Sequence, residues 1–286
     1  MPGDGAPSGT PAPLPLSTGE LGARDAAELQ DLLNGIRDRF GLSGAAYKER
    51  YFRRRLGLRM RRLGIGRYAD YARRLEDDPE EYGRLLDAVA INVSRFFRNP
   101  DVWQALRRDV VPALFARDGA VRLWSAGAAA GEEAYTLAMV LAEHAGGADD
   151  LERFAIVGTD IDTQALERAR RAEYPDDALA ELDPGTRVRW FDGGPPWRVR
   201  PELLRLVRFR TLDLAGDRFP GDQHLILCRN VLIYFERALQ EAVLARFVDA
   251  LAPGGYLVLG QAETLVGPAR ETLRRIGNRE RVYQRA

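Results

Sequence analysis

The sequence predicts an α/β chain: a doubly wound parallel sheet behind a small all-helical domain, with a short β insertion. Three observations carry this expectation. After residue 120, apolar strand-like runs ("AVRLWSAG", "RFAIVGTD", "HLILCRN", "GGYLVLG") alternate with helical runs ("GEEAYTLAMVLAEHAG", "TQALERARRAE", "RALQEAVLARFVDAL"). That alternation is the pattern of βα units feeding a parallel sheet. Before residue 90 the apolar spacing is helical. Between residues 174 and 205, Pro, Gly and Trp break the rhythm, which marks an insertion.

In chain order, residues 1–24 are rich in Pro, Gly, Ser and Ala and offer little to bury, so they read as a disordered tail. From Ala26 helical spacing sets in, and Leu29, Leu32, Leu33 and Ile36 share one side. In "YKERYFRRRLGLRMRRLG" the residues Phe52, Leu56, Met60 and Leu63 fall within one arc, and arginines take most of the remaining surface. "YADYARRLE" and "EEYGRLLDAVA" add two short helices, closing a helical domain over residues 25–90. Residues 91–286 form the second domain, opened by "NVSRFFRNP" and the helix "DVWQALRRDVVPALFAR".

Composition narrows the chemistry. The 286 residues carry 42 basic and 42 acidic side chains. A formal net charge of zero makes the whole molecule a poor nucleic-acid binder by electrostatics alone. The single cysteine, Cys228, excludes an internal disulfide and fits a reducing cytoplasm, and reads as a small buried side chain. With His144 and His224 it leaves too few soft ligands for a zinc centre, so no metal is expected. No apolar run reaches membrane-spanning length, and no signal-peptide core opens the chain.

In an open parallel sheet, ligands bind beyond the carboxyl ends of the strands. Three stretches occupy such ends. "WSAGAAAGEEAY" makes a small-residue turn into a helix that opens with Glu132 and Glu133. Tight packing of strand on helix would account for this turn equally well. "GTDID" ends a strand in Asp160, an acid placed to accept from ribose hydroxyls, while Asp162 or Thr163 can cap the next helix. "LCRNVLIYF" puts Arg229 and Asn230 at a third strand end, with Tyr234 one turn on. Two carboxylates at a helix start would repel a pyrophosphate. They suit the sulfonium and ammonium groups of S-adenosylmethionine, which favours a methyltransferase over a dehydrogenase.

"NVSRFFR", "WSAGAAAGEEAYTLA", "TDIDTQALERAR", "CRNVLIYF" and "GGYLVLGQAE", in this order from about residue 27 to the end of the chain, resemble the motifs of the CheR family, the chemotaxis receptor glutamate O-methyltransferases. "RRRLGLRMRRLG" and "YADYARRLE" resemble that family's N-terminal helical domain. The resemblance implies a Rossmann-like methyltransferase sheet and S-adenosyl-L-methionine as cofactor, with S-adenosyl-L-homocysteine as product. It implies that Asn92, Ser94 and Arg98 touch the cofactor or the reacting centre, with Phe96 and Phe97 packing. Glu132 would hold the methionyl ammonium and Asp160 the ribose. Asp213 and Leu214 would lie near the adenine. Arg229 and Asn230 would complete the cofactor wall, and Tyr234 would stand near the transferred methyl group. Arg98 and Tyr234 are thus the candidate catalytic residues. The chain departs from the family at Ala128, Ala129 and Ala130, at Ala134 in place of a common proline, and at Asp213 in place of a common asparagine.

By that resemblance the partner is the cytoplasmic helical bundle of a methyl-accepting chemoreceptor, with no nucleic acid and no membrane insertion. Residues 45–75 hold eleven Lys or Arg against two Asp or Glu, and Arg53, Arg55, Arg59 and Arg62 form the expected docking face. A solvated helix face would read the same way. "DGGPPW" within the insertion is short, and Pro195 and Pro196 lack N–H donors. Capture of a receptor-tail pentapeptide by strand addition is therefore not expected. Two other readings share the basic helix and the cofactor site: an RNA methyltransferase, and a non-catalytic regulator that binds S-adenosylmethionine.

Overall fold

The structure, a computed structural model, describes residues 22–40, 49–89, 94–147, 149–277 and 280–286. The expected tail lies almost wholly outside these residues, and Asn92 lies outside them too. The chain divides into two compact units between Val89 and Ala90.

The first unit consists of α1 (Ala23–Phe40), α2 (Glu49–Arg62), α3 (Tyr68–Asp77) and α4 (Pro79–Val89). Leu29, Leu32, Leu33 and Ile36 of α1 are all buried, as their spacing predicts. α1 packs on α3, and α2 packs on α4. Leu56 and Met60 of α2 are buried among them. A polar knot sits in this core. Glu81 is 0% exposed. It accepts from Arg59 Nε (2.8 Å), Arg59 Nη2 (2.6 Å) and the Tyr71 hydroxyl (2.8 Å). Burial pushes its carboxyl up, but the Arg59 and Tyr71 bonds outweigh that and hold it below the usual range.

The second unit opens with residues 94–99 and a helical run. That run comprises α5 (Pro100–Ala105), a π turn (Leu106–Val110) and α6 (Val111–Phe115). Pro112 has no N–H to donate four residues back, and the helix widens just before it. Then come β1 (Val121–Ala126), α7 (Glu132–His144), β2 (Phe154–Asp160), α8 (Thr163–Arg171) and β3 (Glu173–Tyr174). α9 (Pro184–Trp190), β4 (Phe191–Asp192), β5 (Trp197–Val199) and α10 (Pro201–Leu204) follow. The chain returns to the main sheet with β6 (Val207–Thr211), β7 (Gln223–Cys228), α11 (Arg237–Ala250) and β8 (Leu251–Leu259), and finishes with α12 (Ala269–Thr272), β9 (Leu273–Ile276) and β10 (Val282–Arg285).

The seven-stranded main sheet runs β6-β2-β1-β7-β8-β10-β9. The first five strands are mutually parallel, and β10 is antiparallel to both of its neighbours. The four expected strands are present, and the sheet is larger and mixed because β6, β9 and β10 join it. From β1 the chain steps outward to β2 and then β6. It restarts at β7 on the other side of β1 and steps to β8. Right-handed crossovers then put α7 and α8 on one face and α11 on the other. The order reverses between β1 and β7, so the crevice for a ligand lies at their carboxyl ends. The insertion is a small antiparallel sheet, β3-β5-β4. Among the described residues no helix is long and apolar enough to cross a membrane.

Candidate active site

Glycines shape the turn after β1. Gly127 has φ +79°, and a Cβ there would lie 2.3 Å from Val231 Cγ2. Gly131 has φ +94°, and a Cβ there would lie 2.9 Å from both Ala169 and Phe209. Both glycines therefore serve close packing as well as backbone conformation, and either substitution would push the turn off its neighbours. Ala129 takes φ +48° and donates its N–H to Asp160 Oδ2 (2.9 Å). The small alanines that depart from the family are thus compatible with a tight turn braced on β2.

Glu132 opens α7, directly after this turn. It is 5% exposed, and its Oε2 is buried with no hydrogen-bond partner among the described residues. Burial lifts its carboxyl to about 7, against the smaller opposing effects of its own backbone N–H, the Ser94 hydroxyl and the more distant Arg168. Ser94, from the segment that opens the unit, thus meets Glu132. Asp160 ends β2. Its Oδ1 accepts from Asp162 N (3.0 Å) and its Oδ2 from Ala129 N, which fixes the carboxylate and leaves lone pairs for further donors. Burial pushes its carboxyl up. Asp162, not Asp160, caps α8, accepting from Ala165 N at 2.8 Å.

Asp213 and Leu214 follow β6, whose Thr211 pairs with Asp160. Asp213 Oδ1 accepts from Ala215 N (2.8 Å), and Arg246 Nη1 donates to the Leu214 carbonyl (2.8 Å). Burial pushes the Asp213 carboxyl up as well. The aspartate therefore shapes its own turn beside Asp160.

Arg229, expected to complete the cofactor wall, is committed to neighbours within the chain. Its side chain is 3% exposed and forms an ion pair with Glu133 (3.3 Å). Its Nη2 donates to the Arg98 carbonyl (2.7 Å) and to Asn99 Oδ1 (2.9 Å). Its guanidinium lies 5.5 Å from the Trp103 ring centroid. Ser125 of β1 completes the group by donating to Glu133 Oε1 (2.8 Å). Burial pushes the Glu133 carboxyl up, against Arg229 and Ser125. Arg229 is thus a strap that ties residues 98–99 to β1 and α7. Its partners are Asn99 and Glu133, the second of the two carboxylates that open α7, which is thereby committed within the chain.

The same segment is held at two more points. Phe96 is buried edge-on against Tyr174 (4.8 Å) and Phe191 (5.1 Å). Phe97 donates its N–H to Thr136 Oγ1 (3.2 Å). Both phenylalanines pack. Asn230, at φ +62°, and the half-buried Tyr234 sit on the turn after β7.

The docking face needs a correction. The Arg59 side chain is 12% exposed and committed to Glu81. A guanidinium held by two bonds to a buried carboxylate is a core element, not a free surface cation. Arg53 and Arg55 are half-buried, while Arg54, Leu58, Arg61 and Arg62 form the exposed side of α2.

A mixed sheet with a topological switch point, a strand-end acid and a buried carboxylate oxygen without a partner among the described residues fit the class of S-adenosylmethionine-dependent methyltransferases. A buried acceptor without a donor costs roughly 1–3 kcal/mol, and an ammonium would supply the donor that Glu132 lacks. The chain belongs to the CheR methyltransferase family. Residues 92–282 match its S-adenosylmethionine-binding domain, and residues 27–90 match its all-alpha domain. A chemotaxis protein methyltransferase of Salmonella typhimurium is 34% identical over 278 residues, covering 93% of this chain and 93% of that one. A chemotaxis protein methyltransferase of Escherichia coli strain K12 is 35% identical over 237 residues, covering 80% and 81%. One of Listeria monocytogenes serovar 1/2a is 32% identical over 240 residues, covering 83% and 90%.

Proposed function

We propose that this enzyme acts in chemotaxis, in the cytoplasm, esterifying glutamate side chains on the helical bundle of a methyl-accepting chemoreceptor without pentapeptide tethering. The observation that carries the reading is the buried Glu132 Oε2, which has no partner among the described residues, on a side chain that Ser94 also meets. In this reading Glu132 holds the ammonium, Asp160 the ribose, and Asp213 with Leu214 the adenine side. Asn92, Ser94 and Asn230 complete the cofactor contacts.

When bound, S-adenosylmethionine would supply a methyl group on a sulfonium; transfer to a glutamate carboxylate would exchange the S–C bond for an O–C bond, giving an ester and the thioether S-adenosylhomocysteine. A free glutamate has a pKa of roughly 4.3, so the nucleophile is already ionised and no general base is needed. An anion and a cation neutralise each other in this step. Excluding water and fixing the line of approach are therefore the chain's tasks. Arg229 and Trp103 Nε1 both donate to the Arg98 carbonyl, which fixes the backbone from which Arg98 reaches the incoming carboxylate. Tyr234 lies on the short 3-10 turn Leu232–Tyr234 and would hydrogen-bond to the same group.

Docking would use the exposed cations Arg54, Arg61 and Arg62, with Arg53 and Arg55 at their flank, against glutamate-rich receptor helices. Calorimetry with S-adenosylhomocysteine tests the site. The parent should bind, and Asp160→Ala, losing two ribose bonds of about 1 kcal/mol each, should bind roughly thirtyfold more weakly. Unchanged affinity in that variant would overturn the ribose assignment, and no binding by the parent would overturn the enzyme reading.

A further inference from the structure

Glu263, the last residue of "GGYLVLGQAE", follows β8; it is 4% exposed, and its carboxylate accepts from four backbone amides. Oε2 accepts from Gly260 N (2.6 Å) and Asn230 N (2.9 Å). Oε1 accepts from Val231 N (2.8 Å) and Ile233 N (3.3 Å). One donor belongs to the end of β8. The other three belong to the turn that leaves β7 at the crevice. A chain leaving a sheet strands its N–H groups, and burying them unpaired would cost about 1–3 kcal/mol each. A single carboxylate answers all of them, with the added strength of charge-assisted bonds.

The clamp also selects the turn's shape. Asn230 stands at φ +62°, a left-handed conformation costing an L-residue about 1–2 kcal/mol, and its N–H is held there by Glu263. Gly260 has no room for a side chain: a Cβ would lie 2.6 Å from Glu263 Oε2 and 2.8 Å from Asn230 N. Val231, the next clamped residue, is the one that closes on Gly127 of the turn after β1. The carboxylate thus sets how the β7 turn meets the β1 turn.

We propose that Glu263 is a positioning residue for methyl transfer: by fixing the backbone of residues 230–233, it aims Asn230 at the cofactor and Tyr234 at the methyl group. The proposal rests on the cofactor reading of the site given above. Glutamine in place of Glu263 would lose the charge and turn one end of the clamp into a donor facing N–H groups. Gly260→Ala would push against the carboxylate without removing it.

The test is amide hydrogen exchange on the ligand-free protein, joined to calorimetry with S-adenosylhomocysteine. In Glu263→Gln the amides of Asn230, Val231 and Ile233 should exchange roughly tenfold faster, and affinity should fall roughly tenfold. The amides of Leu225 and Leu227, inside β7, should keep the parent's rates. Glu263→Asp, which retains the charge, should fall between parent and Gln. A merely structural role predicts loosening of β7 as well, with no rescue by Asp, and that result would overturn the proposal. So would parent-like affinity or parent-like turn protection in Glu263→Gln. If that variant does not fold, Gly260→Ala decides: weaker binding with an intact β7 supports the clamp, and parent-like binding overturns it. Failure of the parent to bind would bring down the cofactor reading and this proposal together. A binding parent with unaffected variants would bring down this proposal alone.

Discussion

Burial holds the Glu132 carboxyl at about 7 in the ligand-free protein, above its ordinary value of 4.5. The sign of the consequence follows from which form each state favours. The folded chain keeps a proton that the unfolded chain releases. Its contribution to stability is therefore present below about 4.5 and is lost as pH rises through 7. An ammonium ligand favours the ionised form, so affinity should run the other way. Binding of S-adenosylhomocysteine should strengthen roughly tenfold from pH 6 to pH 8. Calorimetry at the two pH values checks this. Glu132→Gln should bind weakly at both, and a pH dependence that survives in that variant would assign the titration to another group. Glu132 and Asp160 were legible in the sequence because acids at the ends of apolar runs have no packing reason to be there. The pairing of Glu133 with Arg229 and the roles of Asn99 and Glu263 were not. Their partners are a buried arginine and backbone amides, brought close only when β1, β7 and β8 pair.

At the scale of elements, α2 separates into a core side and a surface side that its arginine run conceals. Nothing local marks Arg59 apart from Arg62, because its partner Glu81 lies on α4. Arg59→Ala would leave a buried carboxylate without its counter-charge, a change that costs about 3–5 kcal/mol. Arg62→Ala, at an exposed position, should stay within about 0.5 kcal/mol. Urea denaturation of both variants checks the pair, and equal midpoints would show that the ion pair contributes nothing. Strands β6, β9 and β10 also escaped the sequence: "VRFRT", "LRRI" and "VYQR" are arginine-rich, with exposed positions that blur the apolar run. The small sheet has edges only two residues long, Glu173–Tyr174 and Phe191–Asp192. Such edges give an added strand few backbone partners. A labelled receptor-tail pentapeptide should therefore show no saturable binding by fluorescence anisotropy. Low-micromolar binding, lost on changes within residues 190–200, would contradict that.

At the scale of the whole molecule, the chain has two compact units. The helical unit offers a cation-rich face on α2, and the sheet unit holds the cofactor crevice at the β1–β7 switch point. In the proposed function these serve one reaction, esterification of a glutamate on a receptor bundle. Its product has a chemical signature that neither an RNA methyltransferase nor a non-catalytic regulator shares. Purified enzyme should be incubated with S-adenosylmethionine labelled in its methyl group and with receptor-bearing membranes from a chemotactic bacterium. The protein-bound label should then leave as volatile methanol under mild alkali. An alkali-stable label on protein, a label transferred to RNA, or no transfer by an enzyme that binds the cofactor would contradict the account.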